Sequence, residues 1–187
     1  TVPIERMDCD TIRIEGLFRG SVFVYDSLLF YYQLSNNQSE YWYDIYNLKN
    51  QSLIGTFCGK GGGPNEFVVL TTIFHFYKEN DCLKTLLYAP DEKKLIEWNI
   101  TESIKQNITV FDTILPYDYL MDDHINAYSG IFRVDENTLF TKIESVALTW
   151  DLATVSLPVY EKRTIDTNQK LRSYSIYKEV PKGNDSN

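Results

Sequence analysis

The sequence predicts an all-β chain that is built from a repeated four-stranded unit. Aromatic residues make up 14% of the 187 residues, with only 9 glycines and 2 methionines, and this composition favours pleated, half-buried sheet surfaces. A short aromatic motif recurs at a constant interval. Helical periodicity is absent except for a weak signal around residues 117–126, so strands are expected to dominate.

The repeat is defined by the tripeptide Tyr46-Asn47-Leu48, which we call the marker. It returns after 52 residues as Trp98-Asn99-Ile100, and after a further 52 as Trp150-Asp151-Leu152. Two apolar runs separated by polar turn residues precede each copy, and a polar turn and another apolar run follow it. Each unit is therefore interpreted as a four-stranded antiparallel meander, and a repeat of about 50 residues with four strands is typical of a β-propeller blade.

The strand assignments follow from these runs. Turns are assigned to 78–81 and 101–103. The strands before the markers are assigned to 22–25 and 28–32, to 73–77 and 86–88, and to 131–134 and 139–140, and those after the markers to 53–57, 108–111 and 155–160. The resulting blades cover 18–58, 68–112 and 128–160 of a single domain over 1–187, with 1–17 and 161–187 belonging to incomplete blades.

The number of blades raises a question of closure. Closed propellers have about four to eight blades, whereas this chain supplies about three to four. It is thus predicted to be a partial propeller, either a segment of a longer protein or part of a ring closed by self-association through open blade edges. A β-sandwich is the alternative, although it does not require the internal period.

Charge and composition exclude several classes of partner. The net charge of −8, from 18 basic and 26 acidic residues, repels phosphate backbones, so no nucleic-acid partner is expected. The sequence contains no apolar run of about 18 residues, so no membrane span is predicted. Residues 1–15 lack the pattern of a signal peptide. Cys9, Cys58 and Cys82 form no C-x-x-C pair and are interpreted as small core or edge residues, with one disulfide and one free thiol as the alternative.

A glycine-rich segment joins the first blade to the second. A P-loop would need an earlier first glycine than Gly55, Ser or Thr in place of Gly61, and a following helix, so that interpretation fails. Glycines supply positive φ angles and Asn65 tolerates the left-handed region, which favours a structural corner. We call it the interblade loop, and it consists of Gly61, Gly62, Gly63, Pro64, Asn65, Glu66 and Phe67.

The interblade loop, preceded by Leu53-Ile54-Gly55-Thr56-Phe57, resembles the interblade signature of the TolB-like six-bladed β-propellers. These are secreted or lipid-anchored proteins of gut Gram-negative anaerobes. The family usually has glycine where this chain has Asn65, and the resemblance covers residues 18–115, continuing beyond them only through the repeat. It implies a six-bladed whole and an extracytoplasmic location, in the periplasm or at the outer-membrane surface. It supplies no catalytic residues.

Candidate residues for acid–base chemistry are few, because the chain has only two histidines. His75 lies in an apolar aromatic run and is interpreted as a hydrogen-bonded strand histidine. Asp122, Asp123 and His124 form the best candidate for a ligand-binding or acid–base group, with a solvated turn as the alternative. No metal and no cofactor is assigned.

The aromatic surplus provides the other candidates. Trp42 or Tyr43 is expected at the surface, where it could stack against a sugar ring or a partner protein. Since no catalytic constellation stands out, the sequence favours a noncatalytic extracytoplasmic binding or scaffold module whose ligand is an unknown protein or carbohydrate.

Two other functions stay open. A propeller-type hydrolase or lyase acting on glycans would be favoured if Glu66 converged with Asp122, Asp123 and His124 at one mouth of the propeller. A structural subunit that closes a ring with a second half-propeller is the third hypothesis.

Overall fold

A computed structural model of the chain describes residues 20–34, 39–116, 126–135, 137–147, 155–165 and 171–178. In chain order the strands are β1 (Gly20–Tyr25), β2 (Leu28–Gln33), β3 (Tyr41–Asn47), β4 (Ser52–Gly59), β5 (Phe76–Glu79), β6 (Cys82–Ala89), β7 (Lys94–Asn99), β8 (Phe111–Pro116), β9 (Asn126–Asp135), β10 (Thr138–Ala147), β11 (Val155–Ile165) and β12 (Leu171–Lys178), and helix α1 (Ile100–Gln106) lies between β7 and β8.

The strands form three antiparallel four-stranded sheets, and within each sheet neighbours in space are neighbours in sequence. Sheet 1 contains β1 to β4, sheet 2 contains β5 to β8 and sheet 3 contains β9 to β12. The all-β prediction is confirmed. Each sheet is a meander of the kind that the repeat predicts, and the described residues do not form a closed ring.

Four assignments in sheet 2 were wrong, namely the strands at 73–77 and 108–111 and the turns at 78–81 and 101–103. The first strand, β5, begins at Phe76 rather than at 73. Lys78 and Glu79 belong to β5, so the turn shortens to Asn80 and Asp81, whose φ angles of 50° and 61° lie in the left-handed region that a two-residue hairpin requires. The segment 101–103, assigned to a turn, lies in α1, and the strand after it begins at Phe111 rather than at 108.

Sheet 3 is longer than the repeat predicts. The run 155–160, assigned to the fourth strand, lies in the third strand, β11, and the fourth strand is β12. The reason is strand length: β9, β10 and β11 have 10, 10 and 11 residues, against 4 to 8 for the strands of the first two sheets. The marker at 150–152 and most of the weak helical signal at 117–126 lie outside the described residues.

The first two markers have the same structural role. The side-chain oxygen of Asn47 accepts a hydrogen bond from Lys49 N at 2.9 Å, and that of Asn99 accepts one from Glu102 N at 3.0 Å. Asn is favoured in turns and at helix N-caps for this reason. A β-bulge also precedes each marker, at Ile45/Tyr46 and at Glu97/Trp98, so the 52-residue period extends to an irregularity of the backbone.

Sheet 2 lies between the other two sheets and turns a different face toward each. In β7, Ile96 and Trp98 belong to the core shared with sheet 1, whereas Leu95 belongs to the core shared with sheet 3. Sheet 1 presents Tyr43 and Ile45 to sheet 2. Since Tyr43 and Leu95 are separated by one repeat, sheets 1 and 2 turn equivalent faces toward the sheet that follows them, and the stacking is head to tail.

Trp98 occupies the centre of the core between sheets 1 and 2. Its ring is fully buried, with centroids 5.1 Å from that of Tyr43, 6.1 Å from Phe57 and 6.4 Å from Phe30. Its indole N–H donates a hydrogen bond to Ser103 Oγ at 2.9 Å. A buried indole needs such an acceptor, and α1 supplies it.

Candidate functional site

Charged side chains concentrate where sheet 2 meets sheet 3. The group contains three carboxylates, one ammonium, one guanidinium and one phenol, and it draws at least one residue from each of the strands β5 to β9. We call it the ion cluster, and it consists of Tyr77, Glu79, Lys84, Glu97, Asp112 and Arg133.

Lys84 is the centre of the ion cluster. Its ammonium lies 2.6 Å from a Glu79 oxygen, 2.7 Å from an Asp112 oxygen and 3.7 Å from a Glu97 oxygen, although only 9% of the side chain is exposed. Asn99 donates to both oxygens of Asp112, at 3.1 and 3.0 Å. A buried ammonium is tolerated only when it is paired and hydrogen-bonded in this way.

Arg133 links the cluster to sheet 3. Its guanidinium contacts Glu97 and lies 3.3 Å from a Glu79 oxygen. The Tyr77 hydroxyl donates to the same Glu97 oxygen at 2.6 Å, and the guanidinium lies over the Tyr77 ring at 5.6 Å. These contacts join β9 to three side chains of sheet 2.

A β-bulge positions the third carboxylate. Glu97 pairs with Thr113 and Trp98 pairs with Phe111, so Asp112 has no partner across the ladder. A bulge leaves its extra residue free to aim its side chain differently from its neighbours. Here that side chain reaches Lys84 on β6, two strands away.

Three groups of the ion cluster have pKa values that are shifted away from neutral pH. The hydrogen bond from Lys84 lowers the pKa of Glu79. Burial acts to lower the pKa of Lys84, but the hydrogen bonds to Asp112 and Glu79 outweigh it and raise that pKa. Burial and the hydrogen bond to Glu97 raise the pKa of Tyr77. General acid–base catalysis needs a pKa near the working pH, so these three groups are suited to holding sheets together.

His75 forms a second link between sheets 2 and 3. Its Nε2 accepts a hydrogen bond from Arg133 N at 3.2 Å, and its Nδ1 lies 3.0 Å from the Ile131 carbonyl oxygen. The accepting role of Nε2 places the proton on Nδ1, which donates to the carbonyl. The histidine is hydrogen-bonded, as the sequence predicted, but its partners are the backbone of β9 and it lies just before β5.

Trp42 and Tyr43 are buried, which contradicts the expectation of a surface aromatic. The polar side-chain atoms of Trp42, Tyr43 and Tyr32 donate hydrogen bonds to the segment 60–75 that links sheets 1 and 2, which we call the connector. The contacts are Tyr32 Oη to Leu70 O at 2.5 Å, Trp42 Nε1 to Phe67 O at 3.0 Å and Tyr43 Oη to Thr71 O at 2.8 Å. Neither ring offers a free face for stacking.

The interblade loop folds around its own carboxylate. Glu66 Oε2 accepts a hydrogen bond from Gly63 N at 3.0 Å, and a Cβ atom on Gly61 would lie 2.2 Å from that oxygen. Asn65 takes the left-handed conformation, with φ of 64°. Since Glu66 occupies the position that a bound anion would need, the loop is a corner and not a phosphate cradle.

Asp122, Asp123 and His124 lie outside the described residues, so their convergence with Glu66 stays a prediction. Within the described ranges, no group of three or more His, Cys, Asp or Glu side chains is arranged to hold a metal ion. Cys58 and Cys82 carry free thiols, and the first is buried. No helix in the described ranges is long and apolar enough to cross a membrane.

No family model, curated protein or solved structure matches this chain. The resemblance to the TolB-like propellers therefore depends on the interblade loop and the repeat.

Sequence reasoning missed the ion cluster. The signal that could have found it is a single charged residue inside an apolar strand. Lys84 stands between Leu83 and Thr85-Leu86-Leu87, and Arg133 stands between Phe132 and Val134. Such a charge is almost never buried unless it is paired.

Proposed function

We propose that the chain is part of a β-propeller that serves as a noncatalytic binding or scaffold module outside the cytoplasm. The observation that supports this most directly is the head-to-tail stacking of the three sheets, in which Tyr43 and Leu95 occupy equivalent positions in successive interfaces. Head-to-tail contacts close into a ring when the rotation between units permits it.

Ring closure would also cover a face that sheet 1 leaves partly open. Val22 and Val24 are about half exposed, at 53% and 56%, and they alternate with Phe23 and Tyr25, which pack toward sheet 2. Val22 and Val24 therefore lie on the face of sheet 1 that points away from sheet 2. The equivalent face of sheet 2 packs against sheet 1. In a propeller this face meets the preceding blade.

The ion cluster favours binding or scaffolding over catalysis. Each of its three carboxylates contacts a cation of the same chain, and two of them, Glu79 and Glu97, contact Arg133 and so join sheets 2 and 3. The net charge of −8 favours neutral or basic partners over anionic ones.

The mass of the chain in solution, measured by light scattering with small-angle X-ray scattering, tests the propeller. We expect a dimer, at twice 21.8 kDa, with the scattering profile of a ring. Charging the open face with Val22→Lys and Val24→Lys should dissociate it, whereas Val68→Lys, on an equally exposed residue of the connector (57%), should not. A compact monomer that is insensitive to these changes would favour a sandwich-like closure.

The location and the absence of catalysis have their own test. If the protein lies on the outer surface, a protease added to intact source cells should degrade it. If it lies in the periplasm, the protease should degrade it once the outer membrane alone has been permeabilised. Protection until the inner membrane is broken would contradict the proposal.

Release of sugars from a glycan panel by the purified chain would favour the hydrolase or lyase alternative.

A further inference from the structure

A cavity of about 270 Å³ lies between sheets 1 and 2, where the β1–β2 turn, the β5–β6 turn and α1 meet. Its lining combines an aliphatic surface with charged groups from both sheets. The apolar side includes Leu28, Leu83 and Ile104, and the charged side includes Asp26, Lys78 and Asp81.

The cavity occupies the position that the ion cluster fills in the next interface. Leu28 pairs with Asn47 as Lys84 pairs with Asn99, so Leu28 is the counterpart of Lys84. Tyr25, in the cavity wall, pairs with that leucine as Tyr77 pairs with Lys84.

Lys78 is likewise the counterpart of Arg133. Lys78 pairs with Leu83 as Arg133 pairs with Leu139, and both leucines belong to the core shared with the preceding sheet. In sheet 1, however, Ile45 stands one repeat before Glu97, so the carboxylate that neutralises Arg133 has no counterpart. A shorter, uncharged set of side chains leaves a space, and the Lys78 ammonium beside it is exposed.

The charged groups of the cavity have no partners among the described residues. All three residues are exposed, and the side chains of Asp26, Asp81 and Lys78 form no hydrogen bond and no ion pair with described residues, whereas the buried charges of the ion cluster are paired. The cavity thus offers two hydrogen-bond-accepting carboxylates, one donating ammonium and an aliphatic wall.

We propose that this cavity binds a small zwitterion with an aliphatic side chain, that is, a free aliphatic α-amino acid such as leucine. The ligand ammonium would be bound by Asp26 and Asp81, its carboxylate by Lys78, and its side chain would lie against Leu28, Leu83 and Ile104. Charge-assisted hydrogen bonds are the strong ones in such sites. The cavity is smaller than the usual range for drug-sized ligands, about 300–1,000 Å³, which fits a ligand of this size.

The test is a titration of the full chain with L-leucine, followed by the amide NMR shifts of the cavity residues. Two analogues separate the charges: 3-methylbutylamine lacks the carboxylate and 4-methylpentanoate lacks the ammonium. We expect leucine to bind about fivefold or more tightly than either analogue, since exposed ion pairs are individually weak.

Variants assign each charge to its partner. Lys78→Met should weaken leucine about fivefold and leave 3-methylbutylamine unchanged, and Asp26→Asn with Asp81→Asn should weaken leucine and leave 4-methylpentanoate unchanged. Lys105→Met and Asp91→Asn are the matched controls, because these exposed residues lie outside the cavity lining. They should change nothing.

Three results would overturn the inference: no saturable shift with leucine, equal affinity for leucine and 4-methylpentanoate, or an amine that binds as tightly as leucine and more tightly still to Lys78→Met. The last would make the cavity a cation site. The inference builds on the proposed function as a binding module, but the cavity lies within one chain. Failure of leucine to bind would therefore leave the mass result untouched, and a monomeric mass would leave leucine binding open to measurement.

Discussion

Gly61 has a φ of 153° and faces the Glu66 carboxylate so closely that a methyl group would collide with it. Gly61→Ala should therefore lower the free energy of unfolding by about 1–3 kcal/mol. Gly62→Ala is the matched control, because nothing lies within 4 Å of its added methyl, and it should stay within about 0.5 kcal/mol of the parent. Thermal denaturation measures both, and equal effects would contradict the packing described for the loop.

The Tyr43 hydroxyl is the second residue-scale feature that a single change can test. Tyr43→Phe removes the donor to the Thr71 carbonyl and leaves that acceptor unpaired at a half-buried position, which should cost about 1–2 kcal/mol. Tyr41→Phe, on the same strand but exposed, should cost almost nothing. Urea denaturation distinguishes a fastening role from simple core packing, since both variants keep the ring.

At the scale of elements, sheets 2 and 3 are joined by charges. Arg133→Met would leave the Glu97 and Glu79 carboxylates without a guanidinium at a mostly buried position, and we expect a loss of about 3 kcal/mol. Lys105→Met removes a surface ion pair to Glu102 in which the lysine side chain is 71% exposed, and it should cost less than about 0.5 kcal/mol. Losses of similar size would show that the cluster contributes no more than a surface pair.

His75 makes the same interface sensitive to pH. Burial lowers the pKa of His75, and the hydrogen bond with the Ile131 carbonyl opposes this only in part. As the pH falls through about 6.5, the unfolded chain binds the proton first. The free energy of unfolding should therefore decrease below about pH 6.5 and level off once the folded histidine is also protonated.

Denaturation between about pH 5 and 8 measures this dependence. His75→Gln keeps an amide that can donate and accept, and it should flatten the curve. His124→Gln removes the other histidine of the chain and serves as the control. A curve that flattens only with the control would assign the pH dependence to His124.

At the scale of the whole molecule, sheet 2 is shared by two interfaces, so the three sheets should unfold together. Leu139→Ala, in the core between sheets 2 and 3, should lower stability by about 2–5 kcal/mol. In a cooperative unit, hydrogen exchange of amides in sheet 1 should accelerate by the same factor as that of amides in sheet 3. Acceleration confined to sheet 3 would show that the sheets are independent.

The sequence by itself determined the all-β class and the four-stranded unit, because alternation, turn residues and the 52-residue marker are local properties of the chain. It also predicted the hydrogen-bonded state of His75. It did not predict α1, since a seven-residue helix capped by Asn99 and Asn107 is too short to show amphipathic periodicity.

Only the tertiary structure decided which aromatic and charged residues are buried. Trp42 and Tyr43 are buried because their polar atoms meet backbone carbonyls that lie about 25 or more residues away in sequence, and no local pattern encodes such a meeting. Lys84 is buried because three carboxylates of its own sheet meet at its ammonium, and the Arg133 side chain is only 14% exposed because the stacking of sheets 2 and 3 brings Glu79 and Glu97 to it. The same stacking one interface earlier, with Leu28 and Ile45 in place of the charges, leaves a cavity.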